Sequence, residues 1–115
     1  MALSSVLYDV LNKVTIDSML EPIYSSERAC AQRHFQYTNS QDLILYDRGY
    51  NAFWLYALHQ QQNRKFCMRV KASQMKMAQK FIESNKDEQI VYLKANKPSI
   101  QTCIDKNIDH SDLKL

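Results

Sequence analysis

The carboxylate of Asp47 stands at the end of a short apolar run, Leu43-Ile44-Leu45-Tyr46, and is followed at once by Arg48, Gly49 and Tyr50. A continuous apolar run of this length, with Asp42 before it and Asp47-Arg48-Gly49 after it, predicts a strand buried on both faces of a parallel or mixed sheet. Asp47 then lies at the C-terminal end of that strand, where sheet-based sites gather. On sequence chemistry alone the plain reading is a strand-end Asp that caps the next turn, since Asp-Arg-Gly turns are common. Arg48, Arg69 and Lys71 have the chemistry for phosphate contact, and the competing reading for each is a solvated or ion-paired face. Gly49 is the only glycine in the chain and suits a positive φ just after the carboxylate. Tyr50 is read as packing against the sheet, with contact to DNA as the alternative.

Other chemistries find little support. Cys30, Cys67 and Cys103 are far apart, and no Cys/His pair has zinc-ligand spacing. They read as reduced, partly buried small hydrophobes. His34, His59 and His110 are scattered, no Gly-rich phosphate loop occurs, and no Ser or Cys nucleophile has a local signature. The methionines Met68, Met75 and Met77 read as gap-fillers, and Phe53 and Trp54 as core.

Composition sets the outer bounds. With 115 residues the chain makes one domain or part of one, and 45% hydrophobic content is enough for a core. A net charge of +3 is compatible with nucleic acid without demanding it. No apolar run approaches the ~20 residues needed to span a bilayer. The Met-Ala-Leu-Ser-Ser start has no basic region before an apolar one, so no signal peptide and no membrane partner are expected, and the expected location is cytoplasmic.

The elements that must position Asp47 follow from periodicity. Residues 5 to 20 alternate with period two on both sides of Asn12-Lys13, predicting a hairpin with a two-residue connection, with one helix across the stretch as the competing reading. Pro22 ends it. Ser25, Ser26 and Glu27 open a helix running from about Ser26 to Tyr37, with Cys30, His34 and Tyr37 on one face; Glu27 and Arg28 serve its start and a surface pair. After the Leu43–Tyr46 strand, Asn51 caps a helix with Phe53, Trp54, Ala57, Leu58 and Gln61 along a broad face, ending near Gln62-Asn63. Lys65 to Lys71 alternates as a strand with Cys67, Arg69 and Lys71 on one face. A short helix capped by Ser73 carries Met75, Ala78, Phe81 and Ile82, and residues 89 to 95 read as a further strand. From Asn96 the chain is more polar, with turn signals at Lys97-Pro98 and Asn107, and its last residues suit the start of another strand. Helices alternating with strands indicate an α/β layered domain.

The block LILYDRGYNAFWLYALHQQQNRKFCMRVK, Leu43 to Lys71, resembles the second-Asp region of insertion-sequence DDE transposases of the IS-four type. There a strand is followed by DRGY, a helix, and a strand bearing an Arg. Upstream, LYDVLNKVTID and SSERACAQRHF are also similar to that family, so the likeness runs from about Val6 to Ile104. A lone DRGY says little. DRGY with the hairpin, the SERA-type helix and the Phe66-x-x-Arg69-x-Lys71 strand in order is fairly specific.

The resemblance implies a partial RNase H-like fold, a mixed sheet with flanking helices, in which residues 1–72 belong to the catalytic core. Residues 73–115 would open the insertion region between the second Asp and the Glu. It implies DNA transposition: metal-dependent cleavage and transfer of strands at insertion-sequence ends, with Asp, Asp and Glu holding Mg2+ or Mn2+. Asp47 matches the second Asp and is the implied catalytic and metal-binding residue. Arg48, Arg69 and Lys71 are implied to contact DNA, and Gly49 and Tyr50 to shape the turn. Partners would be the DNA ends and other transposase subunits. The chain departs from the pattern in two places. It lacks the first strand with its Asp, and no Tyr-x2-Arg-x3-Glu helix follows Lys71. With one of three carboxylates, the expectation is a segment that does not catalyse strand transfer alone. The rival readings are a non-catalytic remnant that at most binds DNA or full-length transposase, and an unrelated small α/β protein in which DRGY arose by chance.

Overall fold

A computed structural model describes residues 1–115. The chain is mixed α/β, with four α-helices and three two-stranded sheets, in two compact units: Met1–Asp42 and Leu43–Leu115.

In the first unit, β1 (Ala2–Asp9) and β2 (Val14–Pro22) form the antiparallel hairpin, with Ala2 opposite Pro22. The strands lie where the alternation puts them, but the connection is longer than predicted, a turn from Val10 to Lys13. Asp9 explains it. Its carboxylate accepts from the backbone N–H groups of Leu11 and Asn12, both at 3.1 Å, and from the Asn12 side chain at 2.8 Å. These bonds, the side-chain bond to Asn12 foremost, hold the Asp9 carboxyl below its usual range. Lys13 closes the turn at φ 55°, a left-handed conformation that a non-Gly residue adopts only when its surroundings hold it there. Further along, Leu7 pairs with Asp17 and Tyr8 with Thr15, so Ile16 is the extra residue of a β-bulge.

Helix α1 (Glu27–His34) starts as predicted: the Ser26 hydroxyl accepts from Ala29 N–H at 3.3 Å. A 3-10 turn, Phe35–Tyr37, extends it. Cys30, Ala31, His34 and Phe35 are its buried residues, and Ser5 of β1 is buried with them. Three polar side chains join the elements. His34 Nδ1 lies 2.8 Å from Asp17 Oδ2 on β2, and His34 Nε2 lies 3.0 Å from Ser5 Oγ on β1. An ionised carboxylate only accepts, so Nδ1 donates to Asp17. Arg33 and Glu21 add an ion pair at the surface.

In the second unit, β3 (Leu43–Tyr46) and β4 (Lys65–Met68) are parallel, Leu43 opposite Lys65 and Tyr46 opposite Met68. A parallel pair needs a crossover, and α2 (Phe53–Gln61) supplies it. Leu55, Tyr56, Ala57, Leu58 and His59 of α2 are all buried. The expected burial of β3 on both faces is not found: Ile44 is buried, but Leu43 and Leu45 are each 61% exposed. The reason is that β3 has a single ladder partner and α2 against one face.

The rest of the unit packs beside this core. A 3-10 turn at Ala72–Gln74 takes in Ser73, and α3 (Lys76–Glu83) begins after Met75 with no side-chain cap, so Ser73 does not cap it. The strand read at 89 to 95 narrows to β5 (Tyr92–Leu93), which pairs with β6 (Leu113–Lys114). Between them, where a polar stretch was read, lies α4 (Lys97–Asp105). Asn96 caps it by accepting from Ser99 N–H at 2.9 Å, and Pro98 sits in its first turn, where a missing N–H costs nothing. With a single glycine available, asparagines end the helices. Asn63, Asn85 and Asn107, at φ 53°, 56° and 59°, follow α2, α3 and α4. Arg64 N–H then reaches His59 C=O at 2.7 Å, and Ile108 N–H reaches Cys103 C=O at 2.8 Å, both in the Schellman pattern. No helix is long and apolar enough to cross a membrane.

Replacing Ser5 with Ala leaves a ring nitrogen of buried His34 without its partner. The expected loss is about 1–3 kcal/mol, read as a lower urea midpoint; an unchanged midpoint would show that the hairpin does not depend on this link.

Candidate functional site

Asp47 sits just past the end of β3, at φ −84° and ψ 179°. It opens a 3-10 turn, Arg48–Tyr50, and its Oδ1 accepts from Arg48 N–H at 2.7 Å. The turn-capping role expected from chemistry alone is therefore realised, and Asp47 is exposed. The ladder continues one bond beyond β4, because Arg69 N–H donates to Tyr46 C=O at 3.2 Å. This bond sets Arg69 beside the Asp47 end of β3. Arg48 is exposed in the turn itself. Cys67, Arg69 and Lys71 are exposed while Phe66, Met68 and Val70 are half-buried, which is the predicted alternation. The structure thus brings Asp47, Arg48 and Arg69 to one end of the parallel pair, with Lys71 two residues further on. Gly49 does not take the positive φ expected of it, because a 3-10 turn keeps φ negative throughout.

Charge is distributed unevenly along the sequence that follows Asp47. Between Asp47 and Glu83 the chain carries seven Arg and Lys and no acidic residue. No three His, Cys, Asp or Glu side chains converge as a metal-holding group.

The turn is held from beneath by aromatic rings. Tyr46 and Tyr50, which bracket the turn, have ring centroids 5.2 Å apart. The Tyr46 ring meets His59 edge-on at 5.2 Å, His59 meets Phe66 at 4.7 Å, and Phe66 stacks on Tyr56 at 5.4 Å. Each contact falls in the range favoured for aromatic pairs. His59 is 0% exposed, and both its nitrogens have partners. Nδ1 is 2.6 Å from Leu55 C=O, an acceptor only, so Nδ1 carries the proton. Nε2 then accepts the Tyr46 hydroxyl at 2.9 Å. Burial lowers the His59 pKa from 6.5, the bond to Leu55 C=O opposes this, and the Arg64 charge adds to the lowering. Burial, followed by the neighbouring Tyr50, pushes the Tyr46 hydroxyl well above its ordinary value, so it remains a donor.

Two polar constellations carry no signal in the sequence, and both are built on histidines. Neither the Tyr46–His59 pair nor the Ser5–His34–Asp17 line is local in sequence, so no motif announces them. The second has the bond order of a nucleophile, a base and an orienting carboxylate. Ser5 is only 5% exposed, so the line serves as a buried tie between strands and helix.

No family model, curated protein or solved structure matches this chain.

The depressed His59 pKa fixes a pH dependence. The unfolded chain binds a proton near pH 6.5 that folded His59 refuses, so the contribution of the neutral ring is full above that value. It declines as pH falls from there through the lower folded value. Urea unfolding of the second unit at about pH 7.5 and about pH 5 should show the loss, and His59→Gln should flatten it. An equal loss in the variant would assign the effect to other groups.

Proposed function

We propose that this chain is a segment of a DDE transposase core of the IS-four type, with a partial RNase H-like fold, in which Asp47 is the second of three metal-binding carboxylates. One observation carries the reading. The carboxylate of the DRGY block stands at the C-terminal end of a parallel strand pair, with Arg69 of the companion strand bonded alongside. The hairpin, helix, strand, helix and strand also follow in the order of the motifs. The acid-free stretch from Arg48 to Ile82 supports DNA as the partner, since binding to a phosphate backbone is dominated by Lys and Arg. DNA ends of an insertion sequence and further transposase subunits are the partners proposed.

The residues present do not make up a two-ion site. Mg2+ and Mn2+ favour oxygen ligands, and a two-ion centre needs several carboxylates around it. Around Asp47 no group of three metal-ligating side chains converges. Asp47 Oδ1 is already engaged with Arg48 N–H. Asp47 would be one ligand of a site completed by other residues, and no strand-transfer step is assigned to these residues alone. A second reading follows from the same fact: a non-catalytic remnant that binds DNA, or a full-length transposase, without chemistry.

The purified chain with Mg2+ or Mn2+ should neither nick nor join DNA bearing insertion-sequence ends; activity abolished by Asp47→Asn would overturn this expectation. Binding should nevertheless be salt-dependent. Replacing Arg48, Arg69 and Lys71 with Ala should weaken affinity for all sequences alike and reduce the slope of log K against log salt by up to about 3. Fluorescence anisotropy measures both, and an unaltered slope would remove these three cations from the DNA interface.

A further inference from the structure

We infer that Tyr56 and His59 of α2 are positioning residues for Asp47, gripping the Asp47–Asn51 turn at both ends. The inference rests on the proposed role of Asp47 and adds the device that would fix the carboxylate in place. The argument begins with what β3 lacks. It has four residues, one ladder partner and an exposed outer face at Leu43 and Leu45. Its last residue, Tyr46, keeps a ladder bond on one edge only, from Arg69 N–H at 3.2 Å. A carboxylate one residue beyond a loosely held strand end would wander, and a functional carboxylate has to be kept within a fraction of an ångström of its working position.

Two hydrogen bonds from one face of α2 supply the hold. His59 Nε2 accepts the Tyr46 hydroxyl at 2.9 Å, just before Asp47. The Tyr56 hydroxyl donates to Asn51 Oδ1 at 2.6 Å, at the far end of the turn. Tyr56 and His59 are three residues apart and share a helix face. The Tyr46–Tyr50 ring contact closes the turn across its own base. The tautomer of His59 is what makes the grip directional. Leu55 C=O holds the proton on Nδ1, which leaves Nε2 only able to accept.

The test is amide exchange and 15N NMR on the full chain, comparing the unaltered protein with Tyr46→Phe, Tyr56→Phe, His59→Gln and Asp47→Asn. In the unaltered protein the His59 ring should show Nδ1 protonated and Nε2 bare; the opposite tautomer overturns the inference. In Tyr46→Phe, exchange at Arg48 and Tyr50 should rise about tenfold, the scale of one net buried hydrogen bond. Exchange at buried Cys103 and Ile108 of the same unit should stay unchanged. Tyr56→Phe, which removes the Asn51 bond, should give a smaller rise at the same two amides. His59→Gln, whose amide oxygen can still accept from Tyr46, should recover part of the protection. Equal loosening at all four amides, or at none, overturns the positioning role. Mn2+ added to the same samples separates this from the reading beneath it. Broadening at Arg48 and Tyr50 that disappears in Asp47→Asn supports Asp47 as a ligand, and reduced broadening in Tyr46→Phe supports the grip. Absence of broadening in the unaltered protein shows that Asp47 alone holds no ion, as one carboxylate of three would, and exchange still decides the grip. Undiminished broadening in Tyr46→Phe sinks the grip alone.

Discussion

The second unit depends on a fully buried imidazole with both nitrogens satisfied. Two parallel strands cannot be joined by a tight turn, so β3 and β4 require α2 between them and against them. His59 is where that helix meets both strands, touching the Phe66 ring of β4 and the Tyr46 hydroxyl and ring of β3. A polar group at 0% exposure is costly unless it is paired, and this one is paired twice. The Leu55 bond chooses the tautomer, the tautomer makes Tyr46 the donor, and Tyr46 fixes the strand end that bears Asp47. An apolar residue at 59 could fill the space without setting the strand end, because dispersion has no direction.

Much of this arrangement was legible in the sequence, and the physics explains which parts. The hairpin strands, α1, α2 and β4 have periodic apolar patterns and β3 a short apolar run, and packing against one neighbour preserves those patterns. The features that escaped depend on side-chain hydrogen bonds or on partners distant in the chain. Asp9 lengthened the hairpin turn, and Ile16 slipped out of register as a bulge. The α4 helix was hidden because its signals, Asn96 as cap and Pro98 in the first turn, are also turn signals. A continuous apolar run predicts two covered faces for β3, and the structure covers one. Gly49 was assigned a left-handed conformation that its 3-10 turn does not use; the left-handed positions fell instead to Lys13 and three asparagines.

For the candidate site, the sequence identified the carboxylate and the cations, and the fold places Asp47, Arg48 and Arg69 together. The sequence did not show the support beneath them. Tyr46 and His59 lie thirteen residues apart and on different elements, so their bond becomes visible only once α2 has folded back over β3. The charge pattern was partly legible. Net charge over the whole chain is only +3 because acids elsewhere dilute a stretch of 35 residues that has none. That stretch spans the turn, α2, β4 and all of α3 but its last residue, so the positive field belongs to the unit that carries Asp47.

Leu43 and Leu45 protrude from β3 into solvent, and Val6, Tyr8 and Leu20 do the same on the hairpin. Short sheets with an uncovered greasy side and unpaired edges are templates for adhesion between molecules. In a crowded cell such a chain would compete poorly for a long lifetime as a free monomer, because the same surface attracts chaperones, proteases and its own kind. Its abundance would then be set less by the depth of its folding free energy than by how quickly those strands find a cover.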